Sequence, residues 1–506
     1  MRCCKKWGFR TVSALFLALV LVSGAVAGEA KYVFLFIGDG LGISQRNAAE
    51  MYLGALQGKN GEPCIVKLAM NEMPAQGMFT TYSTNSLITD SAAAGTAFAT
   101  GKKTASGVIA MDPTGQESYK TVAQMARDKG MKVGIVSSVS IEHATPATFY
   151  AHNVSRKNYY DIACQLTESG FDYFAGGGFL QPRGKKNDQK SVFDMLDEKG
   201  YLVVDTREDF LNLKPGTKTV AINPVLDGSK ALPYAMDAAE GEISLAEFTT
   251  KGIELLDNPE GFFMMVEGGK IDWACHANDA VAAIRDTLAF DDAVRVGLDF
   301  YAKHPEETLV VVVGDHETGG LSLGFAGTKY ETYFMELQGQ KGSYEVFDTL
   351  LDNYRKAHTG EGVAAPNFED VIPLVQEFFG LNILADAARE ELEKKAAEGD
   401  KEAQALLATA LKPFEVRDLK EAFMASMMGE KAGITQEEAY LLYGGYEPFS
   451  VALTHILNQK AGLAWTSYAH TGVPVPISAM GTGAESFNGY YDNTDIFTKI
   501  VALMNL

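Results

Sequence analysis

Short apolar runs recur along the chain, and several of them end directly before a polar or acidic residue. Four such runs cover residues 32–37, 133–136, 262–266 and 309–313. Runs that are apolar on both faces are typical of strands buried in a sheet that helices cover on both sides. Helical patterns at 119–129 and 245–256 alternate with these runs. We therefore predict an α/β fold with a central, mostly parallel sheet flanked by helices.

The residues that follow these predicted strands have side chains suited to chemistry. Asp39, Ser137, Glu267 and Asp315 each come at or just after the end of an apolar run. In open α/β sheets, functional groups collect beyond the carboxyl ends of the strands. We therefore expect the acidic side chains, Asp39, Glu267 and Asp315, to share one site.

The pattern changes between residues 329 and 460. The stretch 384–411 is rich in Ala, Leu, Glu and Lys, and it contains Glu–Lys pairs at helical i,i+4 spacing. We predict a largely helical insertion at 329–460 and interpret it as a solvated elaboration; a catalytic element is the alternative. The main catalytic domain is then 28–328, and residues 461–506 return to it.

The N-terminal segment has the pattern of an export signal. Four basic residues precede an apolar run at 12–22, and Ala25-Val26-Ala27 forms an A-x-A cleavage pattern. We predict a signal peptide at 1–27 and a periplasmic or secreted protein. An uncleaved membrane anchor is the alternative, but the apolar run is short for a span. No stable membrane insertion is expected after cleavage.

The charge of the chain excludes one class of partner. The formal net charge is −21, and removal of the four cations of the signal would leave −25. Nucleic-acid binding requires a basic surface and is not expected. Because an acidic surface repels anions, any anion site needs local positive charge, which bound metal ions would supply.

Three cysteines remain after the signal, namely Cys64, Cys164 and Cys275. An odd number cannot pair completely within one chain. Whether two of them form a disulfide stays open, because sequence alone does not select a pair.

Ser91 lies in an unusual segment, where it follows Asp90 and precedes a run of small residues. Small side chains allow a bound group to approach a helix N-terminus, where N–H groups and the helix dipole favour an anion. A serine there becomes a nucleophile if a metal ion lowers its pKa. The alternative is that Asp90 or Ser91 is a plain helix cap.

Several other residues are candidate metal ligands. Asp272 and His276 have the i,i+4 spacing that places both on one helix face, which suits two ligands of one metal ion. The remaining candidates are Asp39, between two glycines, the pair Asp315-His316, and His470. The alternatives are a surface ion pair, a turn residue and a structural histidine.

Arg156 is a candidate for phosphate binding. Arginine holds two phosphate oxygens through its planar fork, which lysine cannot do. A surface arginine is the alternative interpretation.

These segments, in this order, resemble the alkaline phosphatase family. The stretch 89–103, TDSAAAGTAFATGKK, is similar to the family's nucleophile signature. The segments around the following residues also come in the expected order: Asp39, Thr145, Glu267, Asp272 and Asp315. The resemblance runs from residue 32 to about 324 and again from 470 onward.

The resemblance implies specific roles. Ser91 would become phosphoserine, and Arg156 would hold the phosphate. One Zn²⁺ would be bound by Asp272, His276 and His470, and a second Zn²⁺ by Asp39, Asp315 and His316. A third metal, usually Mg²⁺, would be bound by Asp39, Thr145 and Glu267. Asp90 and His143 would contact these side chains without binding metal or substrate directly.

Two positions depart from the family pattern. His143 stands where enterobacterial members have aspartate, which leaves open whether Mg²⁺ occupies the third site. Trp273 stands where they have lysine and mammalian members have histidine. The combination resembles that of some marine bacterial members. Trp273 lines the substrate site without offering a cation, so product is expected to bind weakly.

We therefore predict a phosphate monoester hydrolase of broad substrate range, with inorganic phosphate as product. Homodimers are common in the family, so a homodimer is an open alternative to a monomer. A phosphodiesterase or sulfatase-like hydrolase of the same superfamily is a second interpretation. A non-catalytic, exported phosphate- or metal-binding protein is a third.

Overall fold

A computed structural model describes residues 29–58, 64–359, 364–429 and 433–506. The predicted signal peptide lies outside the described residues. No helix within the described ranges is both long and apolar enough to cross a bilayer. The thiols of Cys64, Cys164 and Cys275 are all free in the structure.

The strands in chain order are β1 (Tyr32–Gly38), β2 (Ala75–Thr80), β3 (Lys132–Ser137), β4 (Tyr173–Gly176), β5 (Tyr201–Val204), β6 (Lys218–Ile222), β7 (Phe262–Gly268), β8 (Thr308–Gly314), β9 (Glu317–Thr318), β10 (Ser322–Leu323), β11 (Leu463–Ala464), β12 (His470–Thr471), β13 (Val475–Gly481) and β14 (Gly489–Asp492).

The helices in chain order are α1 (Ile43–Gln57), α2 (Ala69–Glu72), α3 (Ser91–Thr100), α4 (Val122–Asp128), α5 (Ala144–Ala147), α6 (Tyr159–Glu168), α7 (Val192–Glu198), α8 (Arg207–Asn212), α9 (Leu245–Leu256), α10 (Lys270–His276), α11 (Ala280–Tyr301), α12 (Tyr344–Ala357), α13 (Phe368–Phe379), α14 (Asp386–Ala397), α15 (Lys401–Ala408), α16 (Pro413–Met428), α17 (Gln436–Tyr443), α18 (Pro448–Ala461) and α19 (Thr494–Met504). Among the described residues, 3₁₀ helices span Phe334–Gly339 and Ala484–Phe487.

A ten-stranded sheet forms the centre of the fold, with the order β14-β2-β13-β8-β1-β7-β3-β4-β6-β5. All neighbouring strands are parallel except those that pair with β13, which is antiparallel to both β2 and β8. The prediction of an α/β fold with a mostly parallel sheet is therefore confirmed. Two small sheets, β10-β11 and β12-β9, lie outside it.

Strand β1 is buried on both faces, as its continuous apolar sequence predicts. Successive side chains of a strand point to opposite faces. Phe34 and Phe36 accordingly belong to one hydrophobic core, and Val33, Leu35 and Ile37 belong to the other.

The region 329–460 is largely helical, from the 3₁₀ helix at Phe334–Gly339 to α18. Helix α14 has no buried residue, which agrees with a solvated elaboration. Other helices of the region bury aromatic rings, and Phe423 contacts Phe449 with their centroids 5.5 Å apart. Phe423 and Phe449 belong to the same hydrophobic core as Phe34 and Phe36 of β1. The region is thus packed onto the core of the sheet, while the boundaries proposed at 328/329 and 460/461 stay predictions.

Candidate active site

Three central strands end at the same level of the sheet. Gly38 of β1 is in register with Gly268 of β7 and with Gly314 of β8. Asp39 and Asp315, the residues directly after two of these glycines, therefore emerge side by side. The N–H of Gly40 donates to Asp315 Oδ1 at 3.0 Å, which fixes one carboxylate against the turn of the other.

Gly40 is required at this turn for two reasons. Its φ of +71° lies in the left-handed region, which favours glycine. A Cβ atom would also stand 2.8 Å from the Cα of Asp272. The glycine thereby allows the loop that carries Asp39 to lie against the helix that carries Asp272.

Ser91 is the first residue of α3, and Asp90 is the residue that caps this helix. Asp90 accepts a hydrogen bond from the N–H of Ala93 at 3.1 Å. The capping interpretation therefore holds for Asp90 and leaves the hydroxyl of Ser91 free for another role. Ser91 Oγ lies 3.4 Å from His316 Nε2, at the N-terminus of a helix that favours an anion.

Arg156 reaches the same point. Its Nη1 pairs with Asp90 Oδ2 at 3.0 Å, and its Nη2 lies 3.3 Å from His143 Nε2. Asp90 also accepts from the N–H of Gly107 at 3.0 Å. The interpretation of Arg156 as a plain surface arginine does not fit these contacts, because the half-buried carboxylate of Asp90, the residue before Ser91, holds the guanidinium.

The first candidate metal group consists of Asp272, His276 and His470. His276 Nε2 lies 3.3 Å from Asp272 Oδ2 and 3.2 Å from His470 Nε2. Both histidines have their other ring nitrogen at a backbone carbonyl: His276 Nδ1 at Tyr468 O, 2.6 Å, and His470 Nδ1 at Thr89 O, 2.8 Å. These carbonyls orient the two Nε2 atoms toward Asp272.

The second candidate metal group consists of Asp39, Asp315 and His316. One ligand atom from each lies within 4.8 Å of the others. His316 Nε2 is 3.3 Å from Asp39 Oδ1 and 3.2 Å from Asp315 Oδ2. His316 also forms a triad at the same distance limit with Asp272 and His470, so the first two groups adjoin each other.

The third candidate metal group includes a possible ligand beyond the predicted Asp39, Thr145 and Glu267. Asp39, His143 and Glu267 offer atoms within 4.8 Å of one another. We expected His143 to lie behind the ligands, but the structure places it among the possible ligands. The hydroxyl of Thr145 is buried without a hydrogen-bond partner among the described residues.

The buried carboxylates strongly affect one another. Burial, followed by repulsion from Asp315, raises the pKa of Asp39 well above its ordinary value. Burial also raises the pKa of Glu267 to about 8. Although burial acts in the opposite direction, the Asp272 carboxylate raises the pKa of His276 to about 9. The raised pKa values of Asp39 and Glu267 indicate that these carboxyl groups resist ionisation without a neighbouring cation, which a bound metal ion would supply.

Sequence reasoning missed several residues of the site. Thr318 donates to Asp272 Oδ1 at 2.6 Å and lies 3.2 Å from His316 Nδ1, so it connects two metal groups. Its position two residues after His316 is the feature of the sequence that could have identified it as part of the site. Ser137, singled out only as a strand end, donates to Glu267 Oε2.

A cavity of about 400 Å³ opens above Ser91. Arg156, Trp273 and the first metal group line it, as predicted for a substrate site. Tyr344, Glu345 and Tyr446 also line it, and all three belong to the region 329–460. The interpretation of that region as a solvated elaboration is therefore incomplete. No local sequence signal identified these three residues.

A serine at a helix N-terminus, beside an arginine and three candidate metal-binding groups at the edge of a parallel sheet, is typical of a metal-dependent hydrolase of the α/β class. Residues 30–506 match the sequence model described as alkaline phosphatase. The chain therefore belongs to the alkaline phosphatase family, and it is a phosphomonoester hydrolase.

Individual relatives agree with this assignment. Alkaline phosphatase 3 of Bacillus subtilis is 32% identical over 482 residues, which cover 93% of this chain and 88% of the relative. The crystal structure of a cold-active alkaline phosphatase from the psychrophile Shewanella sp. has a TM-score of 0.71 at 28% identity, covering 94% of this chain and 99% of the other. The alkaline phosphatase of Thermus thermophilus has a TM-score of 0.72 at 26% identity, covering 95% and 92%.

Proposed function

We propose that this enzyme hydrolyses a broad range of phosphate monoesters through a phosphoserine at Ser91. The observation that carries the proposal is the position of Ser91 Oγ, which lies 3.4 Å from His316 within the second metal group and in one cavity with Arg156. A hydroxyl at this point lies beside both a candidate metal site and the arginine that would bind phosphate. The phosphodiesterase and sulfatase-like interpretations have no comparable observation in their favour.

The donor atoms fit bound metal ions. Six buried atoms at the site have no hydrogen-bond partner among the described residues, and all are metal-ligand types: Asp39 Oδ1 and Oδ2, His143 Nδ1, Thr145 Oγ1, Glu267 Oε1 and Asp315 Oδ2. Buried polar atoms without partners are rare in native proteins, so they indicate a missing ion or water. Convergence of carboxylates on the same point favours a cation over water.

The chemistry of each group suggests which ion it holds. One carboxylate with two imidazoles, as in Asp272, His276 and His470, suits Zn²⁺. The second group, Asp39, Asp315 and His316, also contains an imidazole and is assigned Zn²⁺. The oxygens of Asp39, Thr145 and Glu267 suit Mg²⁺, whereas the ring nitrogen of His143 favours a transition metal.

Bound metal ions would supply positive charge that stabilises the alkoxide of Ser91, the leaving oxygen and the transferring phosphoryl group. The protein residues perform the remaining tasks. Ser91 Oγ attacks phosphorus, the ester bond to the leaving alcohol breaks, and phosphoserine forms. Arg156 holds two phosphoryl oxygens, and Asp90 keeps its guanidinium directed at Ser91. Water then cleaves the phosphoserine and releases phosphate.

The test is the variant Ser91→Ala with metal content measured alongside. We expect hydrolysis of phenyl phosphate to fall by at least about a thousandfold, because the nucleophile is lost, with Zn²⁺ content unchanged. Ser486→Ala, at an exposed serine near the sheet edge, is the matched control. Near-normal turnover by Ser91→Ala would refute the phosphoserine route. Wild-type rates on a matched diaryl phosphate and aryl sulfate separate the other ester classes, and tight phosphate binding without turnover would indicate a non-catalytic protein.

We also propose that the enzyme is exported, on the basis of the signal pattern at 1–27. Mature protein from the periplasm or medium should begin at Gly28. An intact N-terminus in the membrane fraction would indicate an uncleaved anchor instead.

A further inference from the structure

Two tyrosines from the region 329–460 face the reaction site. Tyr344 is the first residue of α12, and Tyr446 lies in the connection between α17 and α18. Both line the cavity that contains Ser91 and the first metal group. Burial, and after it the negative charge of Asp272 in the first metal group, raises the pKa of Tyr446.

Three aromatic rings pack in sequence along this side of the cavity. Tyr234 contacts Tyr344, and Tyr344 contacts Tyr446, each pair with centroids 5.8 Å apart in an edge-to-face arrangement. The hydroxyl of Tyr234 donates to that of Tyr344 at 3.4 Å, and Tyr344 donates to Glu345 at 3.4 Å. These contacts hold Tyr344 in place, so Tyr446 rests on a fixed support.

Trp273 completes the aromatic side and is held from behind by a cation. The ammonium of Lys270 is fully buried, 4.8 Å from the Trp273 ring centroid and 3.8 Å from that of Tyr234. An edge-to-face contact with His143, at 5.8 Å, fixes Trp273 from another direction. We name the surface formed by Trp273, Tyr344 and Tyr446 the aromatic wall.

The charge beside the aromatic wall is negative. Lys270 Nζ lies 2.6 Å from Asp227 and 3.5 Å from Glu345. One ammonium thus faces two carboxylates, and the Glu345 side chain, which also lines the cavity, is about one-third exposed. An anionic group placed against the wall would be repelled, whereas an uncharged ring would not.

We propose that the aromatic wall is a subsite for the leaving alcohol and that it selects phosphate monoesters whose alcohol carries a flat, uncharged aromatic group. This inference rests on the proposed function, because Arg156 and the metal groups must hold the phosphoryl end. The rest of the ester then extends along the remaining lining of the cavity, which includes Trp273, Tyr344 and Tyr446. Stacking held in the transition state raises kcat/KM for such esters. The aromatic group can be a phenyl ring or a nucleobase.

The experiment compares kcat/KM for phenyl phosphate, a nucleoside 5′-monophosphate and glycerol 2-phosphate. Tyr446→Ala should lower the phenyl-to-glycerol ratio about tenfold, since one well-placed aromatic contact is worth roughly that factor. Tyr446→Phe should restore the ratio, because the ring provides the contact and the hydroxyl makes no hydrogen bond among the described residues. Tyr440→Ala, at an exposed tyrosine of the same region, is the matched control and should leave the ratio unchanged.

Two further measurements distinguish a loss of substrate selectivity from general damage to the enzyme. Inhibition by inorganic phosphate should be the same in wild type and Tyr446→Ala, since inorganic phosphate has no alcohol group to lie against the Tyr446 ring. Glu345→Gln should raise kcat/KM severalfold for an aryl phosphate that carries a carboxylate, but not for phenyl phosphate. A fall in the nucleotide-to-glycerol ratio alone would identify the nucleobase as the group that stacks on the wall. A fall in the phenyl-to-glycerol ratio alone would identify a smaller ring as that group.

An unchanged ratio in Tyr446→Ala, in an enzyme that still hydrolyses monoesters, would overturn the subsite while leaving the proposed function intact. Failure of the wild type to hydrolyse any of the three esters would instead refute the proposed function.

Discussion

The imidazole rings of His316 and His470 stack with their centroids 3.5 Å apart and their planes 18° from parallel. His316 follows β8, and His470 opens β12, which pairs with β9 so that His470 lies opposite Thr318. Burial and the nearby His316 lower the pKa of His470 to about 4, whereas Asp315 outweighs burial and raises the pKa of His316. Two imidazoles at this distance disfavour a second proton, and both are well placed as neutral metal ligands.

Removal of metal should therefore abolish activity and lower the melting temperature. An ion that binds the folded state at a hundred times its Kd stabilises it by about 2.7 kcal/mol. We expect dialysis against a chelator to eliminate phenyl phosphate hydrolysis and to lower Tm by several degrees in differential scanning fluorimetry. Zn²⁺ should restore both, and Mg²⁺ alone should not restore activity. A Tm that is unaffected by the chelator would contradict the metal assignment.

The metal-free protein should also lose stability as pH rises. The folded-state pKa of Glu267, about 8, is raised above the ordinary value of 4.5 by burial. The folded state therefore binds more protons than the unfolded state between these values, and its stability falls from about pH 5 to pH 8. Thermal melts of chelated protein across this range should show the decrease. Glu267→Gln should flatten the curve, and an equally steep curve in that variant would assign the effect to other groups.

The fold and much of the candidate site were predictable because they depend on local patterns. Fully apolar strands indicated a buried parallel sheet, and β1, β7 and β8 confirm this. The acidic residues at strand ends were predicted to converge, since register places the ends of parallel strands at one edge. Asp272 and His276 share a helix face through their spacing alone.

The rest depended on contacts between distant segments. Tyr344 and Tyr446 reach the cavity only because the helical region folds back over Ser91. No feature of their local sequence predicts this contact. His143 was recognised as a departure from the family pattern. Its place among possible ligands was not predicted, because that place depends on how the turn before α5 faces Glu267 on β7.

Arg156 should contribute to activity through the planar geometry of its guanidinium group as well as through its charge. Its two nitrogens contact Asp90 and His143, and lysine cannot reproduce this orientation. We expect Arg156→Lys to lower kcat/KM for phenyl phosphate about a hundredfold, the usual effect of removing one transition-state contact, and to weaken inhibition by phosphate. Arg127→Lys, at an arginine that pairs with exposed Asp128, is the control. Equal activity of Arg156→Lys and wild type would show that charge alone suffices.

His143→Asp should change the metal content of the third group. An aspartate would replace a ring nitrogen with carboxylate oxygen, which Mg²⁺ prefers. We expect metal analysis after equilibration with both ions to show more bound Mg²⁺ in the variant and unchanged Zn²⁺ in the other two groups. His143→Asn supplies an uncharged oxygen and should give a smaller gain. The assignment of the third group would fail if neither variant altered Mg²⁺ binding.

Lys270→Met should destabilise the protein strongly, although Lys270 touches none of the proposed metal ligands through its ammonium. The side chain is fully buried against Asp227 and Glu345, so its removal leaves two carboxylates without a cation. Loss of one partner of a buried pair costs about 3–5 kcal/mol, and we expect a corresponding drop in the urea midpoint of unfolding. The double variant Lys270→Met/Asp227→Asn should recover part of the loss, because it removes one of the uncompensated charges.

The control is Lys190→Met, at an exposed pair with Glu198, which should cost less than about 1 kcal/mol. Similar midpoints for the two lysine variants would mean that water reaches Lys270 and its partners in solution.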